Sequence, residues 1–168
     1  MTIITIYTII SFLLDGLMSN YINTNLVNPS YLRTIYSIVA LVIIFSYFEN
    51  KQKYLIILFI LGILFDIVYT NTLLLNIVIF FIIFLVLNTI DYYIPNNLFT
   101  ISIKSIIAII IYHLISYFIL ILTNYNHYSL NLLILIIIRS LIMTIIYSII
   151  SYLLIKKIYF KRFNKKIK

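Results

Sequence analysis

The chain has 168 residues, of which 64% are hydrophobic and only 10% are charged, and its mean hydropathy is +1.17. A soluble domain carries roughly 25% charged residues, so this composition excludes a water-soluble globule. The absence of cysteine excludes a disulfide framework, a thiolate metal site and a cysteine nucleophile. We therefore expect an integral membrane protein without a soluble catalytic domain, a metal site or a bound cofactor.

The formal net charge of +8 is concentrated at one end of the chain. Seven of the twelve basic residues lie between Lys156 and Lys168, directly after a hydrophobic run. Each cation beside an anionic lipid surface contributes about 1 kcal/mol, so this placement indicates a cytoplasmic tail that contacts membrane lipid. A tail of this length is too short for a nucleic-acid-binding domain, and we expect no nucleic acid as a partner.

Long apolar runs predict the fold, because a bilayer core of about 30 Å needs about 20 mainly apolar residues per helix. The first run lacks a basic n-region and a small-residue cleavage site, and it holds Asp15, so it predicts a retained helix. The sequence predicts an all-α polytopic membrane bundle of six transmembrane helices in one domain, with a tight turn at Thr70–Thr72. The predicted spans are residues 3–19, 31–48, 54–70, 73–90, 101–123 and 130–155, and residues 156–168 form the basic tail.

Lysine and arginine predict the orientation, because they are in excess in cytoplasmic loops. With the N-terminus inside, the inner side carries Lys51, Lys53, Lys104 and the seven cations of the tail. The outer side carries only Arg33. Ten cations against one predict that both termini are cytoplasmic.

Four ionisable side chains fall inside the predicted spans, where insertion of a charged residue costs roughly 2.5–3.5 kcal/mol and indicates function by default. A helical rise of about 1.5 Å per residue places all four in the outer half of the bilayer. Gly62 lies one turn before one of them. The predicted intramembrane polar cluster consists of Asp15, Gly62, Asp66, His113 and Arg139.

Small hydroxyl residues on the last span share one helical face beside Arg139, and we expect this face to point inward. They are Ser140, Thr144, Ser148 and Ser151.

Three interpretations of the cluster remain open from the residues alone. Asp15 or Asp66 pairs with Arg139 and locks the bundle, or the cluster forms a polar pocket open to the outside, or it contacts a partner's helix. Catalysis by the two aspartates lacks the Tyr-Asp and Gly-x-Gly-Asp context of intramembrane aspartyl proteases. His113 has no accompanying serine, metal cluster or base in the sequence, and we expect no enzymatic activity.

Residues 61–73 resemble the signature of the rod-shape-determining protein MreD family, which carries a Gly-x-x-x-Asp on its third helix followed by a short turn. Here the glycine is Gly62 and the aspartate is Asp66. Phe-Leu-Leu-Asp, ending at Asp15, resembles the family's acidic first helix, and Arg139 lies where many members have an arginine in the last helix. The Leu-Gly step that follows the turn in the family is Leu74-Leu75 here.

The resemblance implies a non-enzymatic, multi-pass scaffold in the bacterial cell membrane. MreD proteins belong to the elongation machinery that determines rod shape and builds lateral peptidoglycan. The implied partners are an MreC-like single-pass membrane protein, the glycosyltransferase RodA, a penicillin-binding protein and, indirectly, the actin-like MreB.

The alternative is a substrate-binding S component of an energy-coupling-factor vitamin transporter, which the MreD fold is thought to resemble. In that interpretation the outer polar cluster is a vitamin pocket. Against it, the first helix lacks the paired small alanines of such components, since Ala40 and Ala108 are the only alanines.

Overall fold

The computed structural model describes residues 2–21, 34–48, 50–72, 74–123 and 129–166, with side chains from Ile4 to Ser19 in the first segment and to Ile158 in the last. These residues form six α-helices and no strand, which confirms the all-α part of the predicted fold. The helices are α1 (Thr2–Tyr21), α2 (Tyr36–Tyr47), α3 (Lys51–Phe65), α4 (Leu75–Tyr93), α5 (Leu98–Leu122) and α6 (Leu130–Lys166), and a π-helical turn (Asp66–Thr70) continues α3.

Four helical segments are long and apolar enough to cross a membrane. They are Lys51–Thr70, Leu75–Tyr93, Leu98–Leu122 and Leu130–Ile158. The described parts of α1 and α2 are shorter apolar helices. The chain is therefore a helical membrane protein by the length and composition of its helices.

Helix α2 lies at the centre of the bundle, in contact with the other five helices. Every residue from Tyr36 to Phe45 is buried. A helix that is apolar on all sides lies in a protein core or in lipid, and here the other five helices surround α2. The largest apolar cluster forms where α2 meets α3, α4 and α5, around Phe45, Tyr54 and Phe84.

The start of α2 differs from the prediction. The predicted span begins at residue 31, whereas the helix begins at Tyr36, after the non-helical Thr34 and Ile35. Residues 31–33 lie outside the described part of the chain. With 12 residues, α2 is about 18 Å long, well short of a bilayer core of about 30 Å. Helix α6 continues to Lys166, through most of the residues of the predicted basic tail.

The described starts of α3, α5 and α6 each have a local cap, which accepts hydrogen bonds from N–H groups that the helix itself leaves unpaired. The Asn50 side chain accepts from the backbone N–H of Gln52 and Lys53 at the start of α3. Asn97 forms a capping box with Thr100 at the start of α5. Ser129 accepts from the Leu132 N–H at the start of α6.

The buried face of α6 is more polar than its exposed face, which is the reverse of a helix on the surface of a soluble protein. The predicted inward stripe is confirmed, because Ser140, Thr144, Ser148 and Ser151 are all buried. The exposed face carries large apolar side chains, among them Ile138, Ile142, Ile146 and Ile150. Small residues at a helix interface let the backbones approach closely, which accounts for the tight packing of α6 against α2 and α5.

The crossing of α3 and α4 depends on Gly62. A Cβ atom at this position would lie 2.8 Å from Cγ1 and 2.9 Å from Cα of Ile77. We expect Gly62→Ala to lower the free energy of unfolding by about 2 kcal/mol, because the α4 backbone must move to make room. Unfolding in an SDS titration, followed by near-ultraviolet circular dichroism, measures this change.

Gly16→Ala is the matched control, since these are the only two glycines in the chain. A Cβ atom at Gly16 meets the end of the Tyr69 side chain, at 2.8 Å from its hydroxyl oxygen, and not a backbone. The Gly16 variant should therefore lose less stability. A larger loss at Gly16 than at Gly62 would contradict the assignment of Gly62 to the helix crossing.

Candidate functional site in the polar network

Asp15 caps the start of α2 from the neighbouring helix α1. Its Oδ1 accepts a hydrogen bond from the Tyr36 N–H at 2.7 Å, and its Oδ2 accepts one from the Ser37 N–H at 2.9 Å. Ile35, which precedes α2, provides no side-chain cap. In an apolar environment unpaired N–H groups are costly, and a carboxylate is favoured at the positive end of a helix. The short α2 can begin inside the bundle because Asp15 satisfies its first N–H groups.

Asp66 has the same role at the start of α4. Its Oδ1 accepts from the backbone N–H of Asn76 at 3.0 Å, from the Asn76 side-chain amide at 2.9 Å and from the Thr72 hydroxyl at 2.6 Å. The carboxylate is almost fully buried. It thereby holds both the turn after α3 and the beginning of α4.

The turn that Asp66 stabilises is strained. Asn71 and Leu74 both have left-handed backbone conformations, with φ of 49° and 63°. Leu is rarely found there, because its side chain crowds the backbone at positive φ. The tight turn expected at Thr70–Thr72 lies within this segment, and the hydrogen bonds to Asp66 offset its strain.

Tyr69 joins the two capped sites. It lies in the π-helical turn that follows α3, and its hydroxyl donates to the backbone carbonyl of Phe12 on α1 at 2.6 Å. The Tyr69 and Phe12 rings also pack, with centroids 4.8 Å apart. Asp15 on α1 and Asp66 in the π-helical turn are therefore parts of one connected region at the same end of the bundle.

His113 and Arg139 lie on α5 and α6. His113 is buried, and its ring contacts that of Tyr112, whose hydroxyl donates to Asn76 Oδ1 at 3.2 Å. The α5 segment of His113 is thereby linked to the Asp66 network. Arg139 is half-buried, next to the fully buried Ser140.

Among the described residues, Asp91 forms ion pairs with Lys51 and with Lys104. The carboxylates of Asp15 and Asp66 accept hydrogen bonds from helix starts and from the turn. The interpretation that one of them pairs with Arg139 stays a prediction. The predicted span begins five residues before Tyr36, so the sequence did not indicate the start of α2 as a partner of Asp15.

An ionic cluster that the sequence did not predict lies at the opposite end of the bundle, formed by Lys51, Asp91, Asn96 and the buried Lys104. Lys104 is 1% exposed, and its Nζ donates to Asp91 Oδ1 at 2.8 Å and to the side-chain oxygen of Asn96. The second oxygen, Asp91 Oδ2, lies 3.6 Å from Lys51 Nζ. We name this group the basic-end cluster.

Lys51 extends the basic-end cluster to α2. Its Nζ donates to the backbone carbonyl of Phe45 at 3.3 Å and lies 3.4 Å from the centroid of the Phe45 ring. The cluster thus ties together the ends of α2, α3, α4 and α5. In the sequence, Lys51 and Lys104 indicated only orientation, and no spacing pointed to their common partner.

Hydroxyl pairs connect α6 to its neighbours. Thr144 pairs with Thr34 at 2.7 Å, just before α2 begins. Tyr147 pairs with Ser11 of α1 at 2.8 Å, and Ser148 donates to Ser102 of α5 at 3.1 Å. The buried hydroxyl stripe is therefore used inside the bundle.

We expect Asp15→Ala to lower the free energy of unfolding by about 2 kcal/mol, since two charge-assisted hydrogen bonds to the start of α2 are lost. Asp15→Asn retains an acceptor and should lose about half as much. SDS titration of the two variants and of the unaltered protein measures the order of their free energies of unfolding. Equal losses for Asn and Ala would argue against capping.

A double-mutant cycle tests the basic-end cluster. Asp91→Asn leaves the buried Lys104 ammonium without its carboxylate, and we expect a loss of about 3 kcal/mol. Adding Lys104→Met removes the buried charge and should recover more than half of that loss. Lys51→Met is the control, because Lys51 is partly exposed and its pair with Asp91 is longer, so its loss should be smaller. Additive losses in the double variant would show that the two charges are not coupled.

Comparison with known proteins adds no family to this picture. No protein-family model, no curated protein and no solved structure matches the chain. The capped starts of α2 and α4, the charge distribution and the resemblance of Gly62, Asp66, Asp15 and Arg139 to a family pattern are the remaining indications of its function.

Proposed function

We propose that the chain is a non-enzymatic scaffold of the bacterial cell-elongation machinery, similar to MreD proteins. The observation that carries the proposal is the use of the two aspartates on which the resemblance rests. Asp15 and Asp66 each cap the helix that follows them in the chain.

A carboxylate engaged in this way supports an architectural role over a catalytic one. Asp66 Oδ1 receives hydrogen bonds from three different groups of Asn76 and Thr72. A general acid or nucleophile must be within reach of the reacting group of a substrate. Gly62 also has an architectural role, because it allows α4 to lie close to α3 just before Asp66.

In the proposed topology the chain crosses the bacterial cell membrane six times, with both termini in the cytoplasm. In this topology the capped start of α2 at Tyr36 lies below the outer surface. The end that carries the basic-end cluster faces the cytoplasm under the positive-inside rule. The excess of lysine and arginine on the cytoplasmic side remains large when the buried Lys104 is left out of the count.

The proposed mechanism is assembly of wall-synthesis proteins around a rigid bundle. A single-pass helix of an MreC-like partner packs on the apolar outer surface, where van der Waals contact holds helices together in lipid. RodA and a penicillin-binding protein join this complex, and MreB is reached indirectly from the cytoplasmic end.

Site-specific photocrosslinking in native membranes tests the proposal. A photoreactive residue is placed at Ile67, which is 67% exposed, and a matched one at Ile44, which is fully buried. We expect the exposed position to capture an MreC-like protein, with RodA and a penicillin-binding protein in the same purified complex, and the buried position to capture none of them.

Two results would overturn the scaffold proposal. Capture of a transporter ATPase pair would favour the S component of a vitamin transporter. Equal recovery of wall-synthesis proteins from the exposed and buried positions would show that the recovery is nonspecific.

A further inference from the structure

A shallow pocket lies on the last turns of α4, beside the basic-end cluster. Its volume is about 430 Å³, and it is lined by Asn88, Thr89, Asp91, Tyr92 and Tyr93. Two of these residues, Asn88 and Thr89, are exposed although they lie within the predicted span. Polar side chains on the outer surface of a membrane helix are costly unless a polar group covers them. A polar ligand in the pocket would cover these side chains.

The lining offers hydrogen-bond acceptors and aromatic faces, and it contains no cationic side chain. The Thr89 hydroxyl donates to the Leu85 carbonyl at 2.9 Å, so its oxygen is left to accept. Asp91 adds a carboxylate, and the end of α4 adds the negative pole of the helix. Such a lining can accept hydrogen bonds from a cationic donor.

Two tyrosine rings that are nearly perpendicular to each other line this pocket. The Tyr92 and Tyr93 centroids are 5.1 Å apart, and the ring planes are at 84° to each other. Both side chains are strongly exposed, at 84% and 76%. Ring faces arranged in this way attract an ammonium group within about 6 Å.

Both oxygens of Asp91 face lysines, at different distances. Its Oδ1 is 2.8 Å from Lys104 Nζ, whereas Oδ2 is 3.6 Å from Lys51 Nζ. The side chains of Asp91 and Lys51 are 22% and 35% exposed. The ammonium of a zwitterionic group would contact the tyrosine rings and replace Lys51 at Asp91 Oδ2, and the displaced Lys51 ammonium would then contact the phosphate of the same group.

We propose that this pocket binds the ammonium-bearing headgroup of a phospholipid such as phosphatidylethanolamine. The site lies at the end of α4, where headgroups meet a membrane helix. It requires only that α4 crosses the membrane, and it is independent of the scaffold function.

Native mass spectrometry of the purified full-length protein, equilibrated with equal amounts of phosphatidylethanolamine and phosphatidylglycerol, tests the site. We expect about a tenfold preference for phosphatidylethanolamine, which corresponds to about 1.4 kcal/mol. Tyr92→Ala and Asn88→Leu should each reduce the preference to below about threefold. Tyr92→Phe should keep it, because the ring face remains.

Phe99→Ala is the matched control, since Phe99 is a strongly exposed aromatic residue at the same end of the bundle and does not line the pocket. Its lipid preference should equal that of the unaltered protein. Soluble ethanolamine, added to delipidated protein, separates the two sources of an ammonium group. Thermal stabilisation that Tyr92→Ala abolishes would assign the same site to a free amine.

Equal retention of the two lipids by the unaltered protein would overturn the proposal. An undiminished preference in Tyr92→Ala, or an equal loss in Phe99→Ala, would overturn it as well.

Discussion

The bundle depends on how the N–H groups at the starts of its inner helices are satisfied away from water. Where a helix starts at the end near Asn50 and Asn97, a local asparagine provides the cap. The starts of α2 and α4 have no local side-chain cap, and carboxylates from the preceding helices supply the acceptors. Each of these helix pairs is thereby joined by a charge-assisted contact that positions one helix against the other.

At the end of the bundle opposite the capped starts of α2 and α4, ion pairs join the helices. The basic-end cluster neutralises the buried Lys104 with Asp91 and draws Lys51 onto the end of α2. Between the two ends the helices pack through Gly62, through aromatic rings and through the hydroxyl stripe of α6. Polar contacts are thus concentrated inside the bundle and at its ends, whereas the exposed surface is largely isoleucine and leucine, as expected for a protein solvated by lipid.

This distribution bears on function. Asp15 and Asp66, which suggested a lock, a pocket or a partner contact, accept hydrogen bonds from helix starts within the chain, which supports the proposed scaffold function. The tyrosine-lined pocket at the end of α4 lies apart from these carboxylates, and it adjoins the charge cluster that holds the bundle together. Lipid at that pocket would therefore contact the same Asp91 on which the helix ends depend.

Composition and periodicity alone determined the helical class, the apolar runs and the inward hydroxyl face of α6, because hydrophobic length and helical spacing are local properties of the chain. They also identified Asp15, Gly62 and Asp66 as special, because a charge or a glycine is conspicuous in an apolar run. The partners of these residues were decided only by the tertiary structure. Asp15 meets Tyr36 across 21 positions, and Lys104 meets Asp91 across 13, through helix packing that no local pattern encodes. The late start of α2 has the same cause, since it is set by a carboxylate on another helix.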